Sequence, residues 1–249
     1  MSDGRPSLEQ LEAEHTPAAV RRRLREGHTP SYLRDFIYGA IDGAVTTFAI
    51  VSGVVGAELS STVIIILGMA NLLADGFSMA AGNFLGVRAD RQLRDRVRAM
   101  EEHHIALHPA GEEEEIRQIF KDKGFSDQDL ERAVEIITSN RRRWVDTMLM
   151  EEHGLPLNGP RATQAAITTF VAFVLIGFIP LAPFLFGVEA PFLWSCSLTG
   201  VAFFCVGAWK SRFALQHWVW SGLETLALGG GAAVLAYGVG AALKGLAAG

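Results

Sequence analysis

Residues 59–87 read LSSTVIIILGMANLLADGFSMAAGNFLGV, and residues 88–107 continue RADRQLRDRVRAMEEHHIAL. The first stretch holds one ionisable residue, Asp75, and is long enough to cross the ~30 Å hydrocarbon core of a bilayer as a helix. The second is crowded with arginine, aspartate, glutamate and histidine. No proline separates the two before Pro109, and a helix from Leu59 to Leu107 would run roughly 70 Å, about twice the hydrocarbon thickness. Apolar in one half and charged in the other, such a helix must leave the membrane and enter water. That reading makes the chain a membrane protein with a soluble insert.

The same alternation extends outward. Residues 36–87 carry only Asp42, Glu58 and Asp75 as charges, residues 88–160 carry sixteen acids and twelve bases, and residues 161–249 return to four bases and two acids. The mean hydropathy of +0.23 and the 49% hydrophobic content argue against a soluble globule, and the net charge of −5 merely averages over this pattern. Five stretches reach the length of roughly 20 residues that a spanning helix needs: Phe36–Ala57, Leu59–Val87, Thr163–Gly187, Pro191–Trp209 and Phe213–Leu243. The predicted class is an all-α polytopic membrane protein with five transmembrane helices and a small helical metal-binding insert between the second and third. Its expected divisions are an N-terminal arm (1–35), helices 1–2 (36–87), the insert (88–160) and helices 3–5 (161–249).

The first 35 residues are polar, so no secretory signal peptide is expected. Arg21, Arg22, Arg23, Arg25 and Arg34 precede the first span; Arg88, Arg91 and Arg94 open the insert; Lys210 and Arg212 lie in the fourth connection. An N-terminus and insert on the cytoplasmic side place all three clusters inside. Trp194, Trp209, Trp218 and Trp220 lie near span ends, where indole rings favour the interface. Cys196 and Cys205 fall about half a helical turn out of phase, so no disulfide is expected.

The insert reads as helices from Arg88 to Leu107, Glu112 to Lys123, after the cap at Ser126 and Asp127, and from Arg141 to His153. Ile105, Ile116, Ile119, Phe120, Trp144, Val145 and Leu149 suffice for a small core. Glu101 with His104 and Glu112 with Glu115 are spaced i,i+3, and Met148 with Glu152 i,i+4, so each pair shares one helix face. Three such faces would gather carboxylates, an imidazole and a thioether, a donor set for Fe2+, Mn2+ or Zn2+. The run Glu112–Glu115 also has a simpler cause, since acids at a helix start are favoured by the helix dipole; the neighbouring His103, His104 and His108 add weight to metal.

Within the spans, Asp42 and Asp75 are ionisable groups at bilayer depth, costing at least ~2.5 kcal/mol each and usually marking an ion pathway. Asn71, Asp75 and Met79 recur at i, i+4 and i+8, drifting only about 80° around the helix. They form a ladder of amide, carboxylate and thioether. Asn83 near the membrane surface is better read as a helix–helix hydrogen bond. Gly39 with Gly43, and Gly82 with Gly86, form GxxxG pairs suited to close packing. Five spans are few for an enclosed pore, so a homodimer with the path at its interface is expected. No nucleic-acid partner is expected.

The blocks YGAIDGAVTTFAIVSGVVGA (38–57) and LGMANLLADGFSMAAGNFLGV (67–87) resemble the first two spans of the vacuolar iron transporter family, and the resemblance extends over about residues 31–249. It implies a dimer that moves Fe2+, and often Mn2+, out of the cytosol in exchange for protons. It implies path residues at Asp42 and Met79, and cytoplasmic metal ligands at Glu101, Glu112, Glu115, Met148 and Glu152. Two positions depart from the plant pattern: Asn71 stands where a glutamate is expected, with Asp75 one turn on, and His104 replaces a glutamate of the insert. The expected site is therefore Glu101, His104, Glu112, Glu115, Met148 and Glu152 for loading, and Asp42, Asp75, Met79 and Asn71 for passage. The expected activity is transport rather than catalysis, in a plasma membrane. A membrane di-iron ferroxidase is the alternative, since Glu101-x-x-His104 is half of its signature; a non-transporting metal sensor is another.

Overall fold

The computed structural model describes residues 7–26, 31–213 and 216–247, and every regular element among them is helical. Residues 1–31 form one compact unit and residues 32–249 another. In the first unit, α1 (Leu8–Glu14) is opened by a capping box: Ser7 Oγ accepts from the Gln10 N–H, and Gln10 Oε1 accepts from the Ser7 N–H. Pro17 starts α2 (Pro17–Glu26), where its fixed φ suits the first turn.

The second unit is built around α3 (Leu33–Gly56). This helix closes with Glu58 in the left-handed region, the Glu58 N–H donating to Val55 O and the Leu59 N–H to Val54 O, a Schellman stop with glutamate in the position glycine usually takes. It is followed by α4 (Ser61–Leu107), α5 (Pro109–Asp122), α6 (Asp127–Thr138), α7 (Arg141–Glu151), α8 (Ala162–Gly177), α9 (Ala182–Leu185), α10 (Pro191–Lys210), a 3-10 turn at Ser211–Phe213 and α11 (Trp218–Ala247). Helices α4, α8, α10 and α11 all pack on α3. A Cβ at Gly39 or Gly43 would collide with the carbonyls of Thr169 and Phe173 on α8, so these two helices meet backbone to backbone, the arrangement expected of small-xxx-small pairs. Gly82 and Gly86, the other expected pair, face open space. The core around α3 contains Phe48, Val51, Ile64, Leu72, Phe173 and Phe203.

Among the described residues, four helices are long and apolar enough to cross a membrane: Leu33–Gly56, Ser61–Leu107, Pro191–Lys210 and Trp218–Gly245. The expected third span, Thr163–Gly187, is not one helix. It stops at Gly177, after 16 residues or about 24 Å, and resumes only as the single turn of α9. Pro180 accounts for the break, because it cannot donate a helical hydrogen bond and its ring disfavours a continuing helix, whereas Pro183 sits in the first turn of α9, where its missing N–H is tolerated. The turn is held instead by Ser195 Oγ donating to Pro180 O at 2.8 Å. The last helix begins at Trp218 rather than Phe213; residues 214 and 215 lie outside the described ones.

Helix α4 runs unbroken for 47 residues. Its buried positions Ile64, Gly68, Leu72, Gly76 and Ala80 repeat every four residues, and burial then resumes far along the same helix at Glu101 and Ile105. Around that second patch, α5, α6 and α7 close a small core of Ile105, Ile116, Leu130, Val134, Trp144, Val145, Met148 and Leu149. Arg98 fastens α4 to α7 through Asp146 at 2.5 Å, and Lys123 ties α5 to Glu151 at 2.7 Å. Cys196 and Cys205 are free thiols on α10.

Candidate metal centre

The insert delivers acids to one point because three helices end or begin there. Glu101 lies near the end of α4, about two turns before its stop at His108. Pro109 then starts α5, which puts Glu112 in the first turn, where the helix dipole favours a carboxylate. Helix α7 ends at Glu151, and Gly154 in the left-handed region turns the chain away just after Glu152 and His153.

The resulting cluster has two halves that share Glu101. In one, Glu101, His104 and Glu112 offer ligand atoms within 4.8 Å of one another; in the other, Glu101, Glu152 and His153 do the same. His153 Nε2 lies 2.9 Å from Glu101 Oε1 and 3.6 Å from Glu152 Oε2, and His104 Nδ1 lies 3.5 Å from Glu112 Oε1. Glu101 is 2% exposed and Glu112 7%, yet Oε2 of each has no hydrogen-bond partner among the described residues. Buried carboxylate oxygens without partners are costly; a proton or a cation relieves that cost. The Glu112 carboxyl is pushed up to about 7, first by burial and then by the charges of Glu115, Glu101 and Glu152. Burial also raises Glu152, against the opposing pull of His153. Carboxylate and imidazole in this ratio suit Fe2+, Mn2+ or Zn2+, so the residues fit a divalent ion, with room in the donor set for two ions bridged by Glu101.

The membrane portion holds a second polar group. Asp42 on α3 and Asp75 on α4 are each partly buried, and Asp75 is the charge that acts on Asp42. Among the described residues neither side chain has a hydrogen bond or ion pair; only the Asp42 carbonyl is engaged, by Thr46 Oγ1 at 2.8 Å. Asn71, Asp75 and Met79 are all half-buried, flanking the buried row of Leu72, Gly76 and Ala80. Asn83 is different. Its Nδ2 donates to Asp35 Oδ1 and to Thr169 Oγ1, both at 2.8 Å, joining α4, α3 and α8 as the helix–helix reading expects.

The profile of the VIT family matches residues 33–241. The chain belongs to the VIT family. Relatives include a vacuolar iron transporter of Toxoplasma gondii, 33% identical over 88% of this chain and 78% of its own length. One from Centaurea cyanus is 32% identical, over 83% and 86%. Vacuolar iron transporter 1 of Arabidopsis thaliana is 30% identical, over 87% and 90%. The family match takes in α3 to most of α11, and so both polar groups; α1 and α2 precede it.

Of the residues expected to load metal in this VIT family chain, the structure brings Glu101, His104, Glu112 and Glu152 together. Glu115 is exposed, but its charge reaches both Glu112 and Glu152. Met148 is fully buried in the apolar core. His153 is not among the expected ligands, yet it joins the cluster beside Glu101 and Glu152; Met150, three residues before it, stands where a second Glu-x-x-His would need glutamate. The signal was the Glu152–His153 pair itself, an acid and an imidazole directly before a glycine stop. His103 and His108 are exposed and outside both halves.

Proposed function

We propose that this chain transports divalent metal, Fe2+ first and Mn2+ second, out of the cytosol in exchange for protons. The observation that carries the proposal is the pair Asp42 and Asp75, adjacent charges in apolar helices without a partner among the described residues. A passing cation compensates their desolvation, and a returning proton replaces it, because one carboxylate cannot hold both. The relatives' names point to iron as cargo. Glu101, His104, Glu112, Glu115, Met148, Glu152 and the added His153 collect the ion; Met79, Asp75 and Asn71 receive it on α4; Asp42 passes it on. Zn2+ suits the same donors.

The arginine clusters support a cytosolic insert. Helices α8 and α9 with the turn between them supply the fifth crossing. Because the ladder on α4 is only half-covered within one chain, a homodimer that encloses it is part of the proposal. The relatives are named for the vacuole, so a plasma membrane has no support among them; the insert faces the cytosol in whichever bilayer holds the chain. Uptake of Fe2+, Mn2+ and Zn2+ by sealed proteoliposomes, with and without a pH gradient, tests the reading. Gradient-driven Fe2+ flux is the expected result; flux no greater than in empty liposomes contradicts it.

One observation favours a second reading. Glu101 is common to two ligand groups that each include a histidine, as a bridging carboxylate of a two-iron oxidase would be. Oxygen consumption on adding Fe2+ to the purified protein would establish it; none is expected from a transporter.

A further inference from the structure

Where α4 leaves its apolar stretch, a cavity of about 690 Å³ opens between that helix and the segment leading into α8. Arg88, Arg91 and Arg94 line it from α4, and Arg161 from the opposite wall, with Asp95 as the one acid. Arg91 approaches Asp95 at 3.8 Å, both side chains largely exposed. Arg88, Arg94 and Arg161 have no side-chain ion pair or hydrogen bond among the described residues, although the insert next to them carries sixteen acids. Many of those acids are engaged elsewhere: Asp146 with Arg98, Glu113, Glu114 and Glu131 with Arg117, and Glu151 with Lys123.

Further features favour an anion. Arg94 reaches across the cavity, its guanidinium so near Gly159 that a Cβ there would sit 2.8 Å away. Arg161 is the N-cap residue of the 16-residue α8 and gives that helix no side-chain cap, so the first-turn N–H groups also face this end without one. Phe84 and Val87 line the membrane side of the cavity. Arginines from two distant stretches of chain thus meet on one cleft with an apolar wall.

We propose that this cleft binds a phosphate anion, presented as the headgroup of an anionic phospholipid whose acyl chains run past Phe84 and Val87. The guanidinium forks of Arg94 and Arg161 hold the phosphate oxygens in bidentate fashion. Such a lipid clamps the exit of α4 to the start of α8, at the junction of spans and insert. The site lies apart from the acid cluster and the Asp42–Asp75 pair and stands whether or not the chain carries metal.

The test uses the full-length protein in neutral detergent, with bound lipid counted by native mass spectrometry. Phosphatidylglycerol and phosphatidylcholine are offered in separate arms, and inorganic phosphate as a competitor. Preferential retention of phosphatidylglycerol is expected. The double variant Arg94→Gln with Arg161→Gln should lower that affinity about 25-fold, at roughly fivefold per arginine, while Arg132→Gln, on the exposed Arg132–Glu135 pair, leaves it unchanged. Displacement by millimolar inorganic phosphate would assign the cleft to a soluble phosphate; resistance to it would assign it to the headgroup. Equal retention of the two lipids by the unaltered protein overturns the proposal without any variant. So does a double variant that binds phosphatidylglycerol as tightly as the unaltered protein.

Discussion

Glu112 has one carboxylate oxygen toward His104 and the other without a partner among the described residues. With its carboxyl at about 7 rather than 4.5, the folded metal-free protein keeps a proton between those values that the unfolded chain has released. Its stability contribution therefore falls as pH rises across that window. Metal must displace the same proton, so loading weakens as pH drops below about 7. Calorimetric titration with Mn2+ should give roughly fivefold weaker binding at about pH 6 than at about pH 7, and Glu112→Gln should flatten that slope. An unchanged slope in the variant would remove Glu112 from the site. Met148 poses a different question, because its burial serves the core as well as any ion. Met148→Leu nearly conserves volume and should shift stability by less than ~1.5 kcal/mol. Met148→Ala should cost about 2–5 kcal/mol. If Met148→Leu also weakens metal binding in calorimetry while the thermal midpoint holds, the thioether is a ligand; unchanged binding makes it packing alone.

At the scale of elements, the α3–α8 crossing depends on glycine. Gly43→Val must push the Phe173 backbone away, and overpacking of this kind costs about 1–3 kcal/mol, whereas Gly86→Ala meets nothing. Thermal unfolding in detergent should separate the two; an unaltered midpoint for Gly43→Val would contradict the close crossing. Asn83→Ala removes two hydrogen bonds between helices and should cost about 1 kcal/mol while leaving ion flux intact, since Asn83 joins helices rather than passing cargo. The continuous α4 was legible from sequence because nothing between Ser61 and Leu107 breaks a helix and the polarity switches once. The shortened α8 was not, because hydropathy runs evenly through Phe178–Phe186 and only the two prolines disclose the turn. The site was half legible. Spacing within one helix finds Glu101 with His104, but which helix ends meet, and hence the place of His153 beside Glu101, is decided by the packing of Trp144, Val145 and Leu149.

For the whole molecule, an acid cluster among α4, α5 and α7 and a pair of carboxylates in the apolar helices sit in one chain, linked by the long α4. Removing either should leave the other formed, because their cores are separate clusters. Loading variants should thus slow transport at low metal and recover at high metal, whereas path variants should not recover. The decisive measurement is Fe2+ flux into sealed proteoliposomes by Asp42→Asn beside the unaltered protein, with equal incorporation and matching thermal unfolding. Flux reduced to the level of empty liposomes, with calorimetric metal binding by the insert retained, is the expected outcome. Fe2+ entry by Asp42→Asn at the unaltered rate would contradict a path through the Asp42–Asp75 pair.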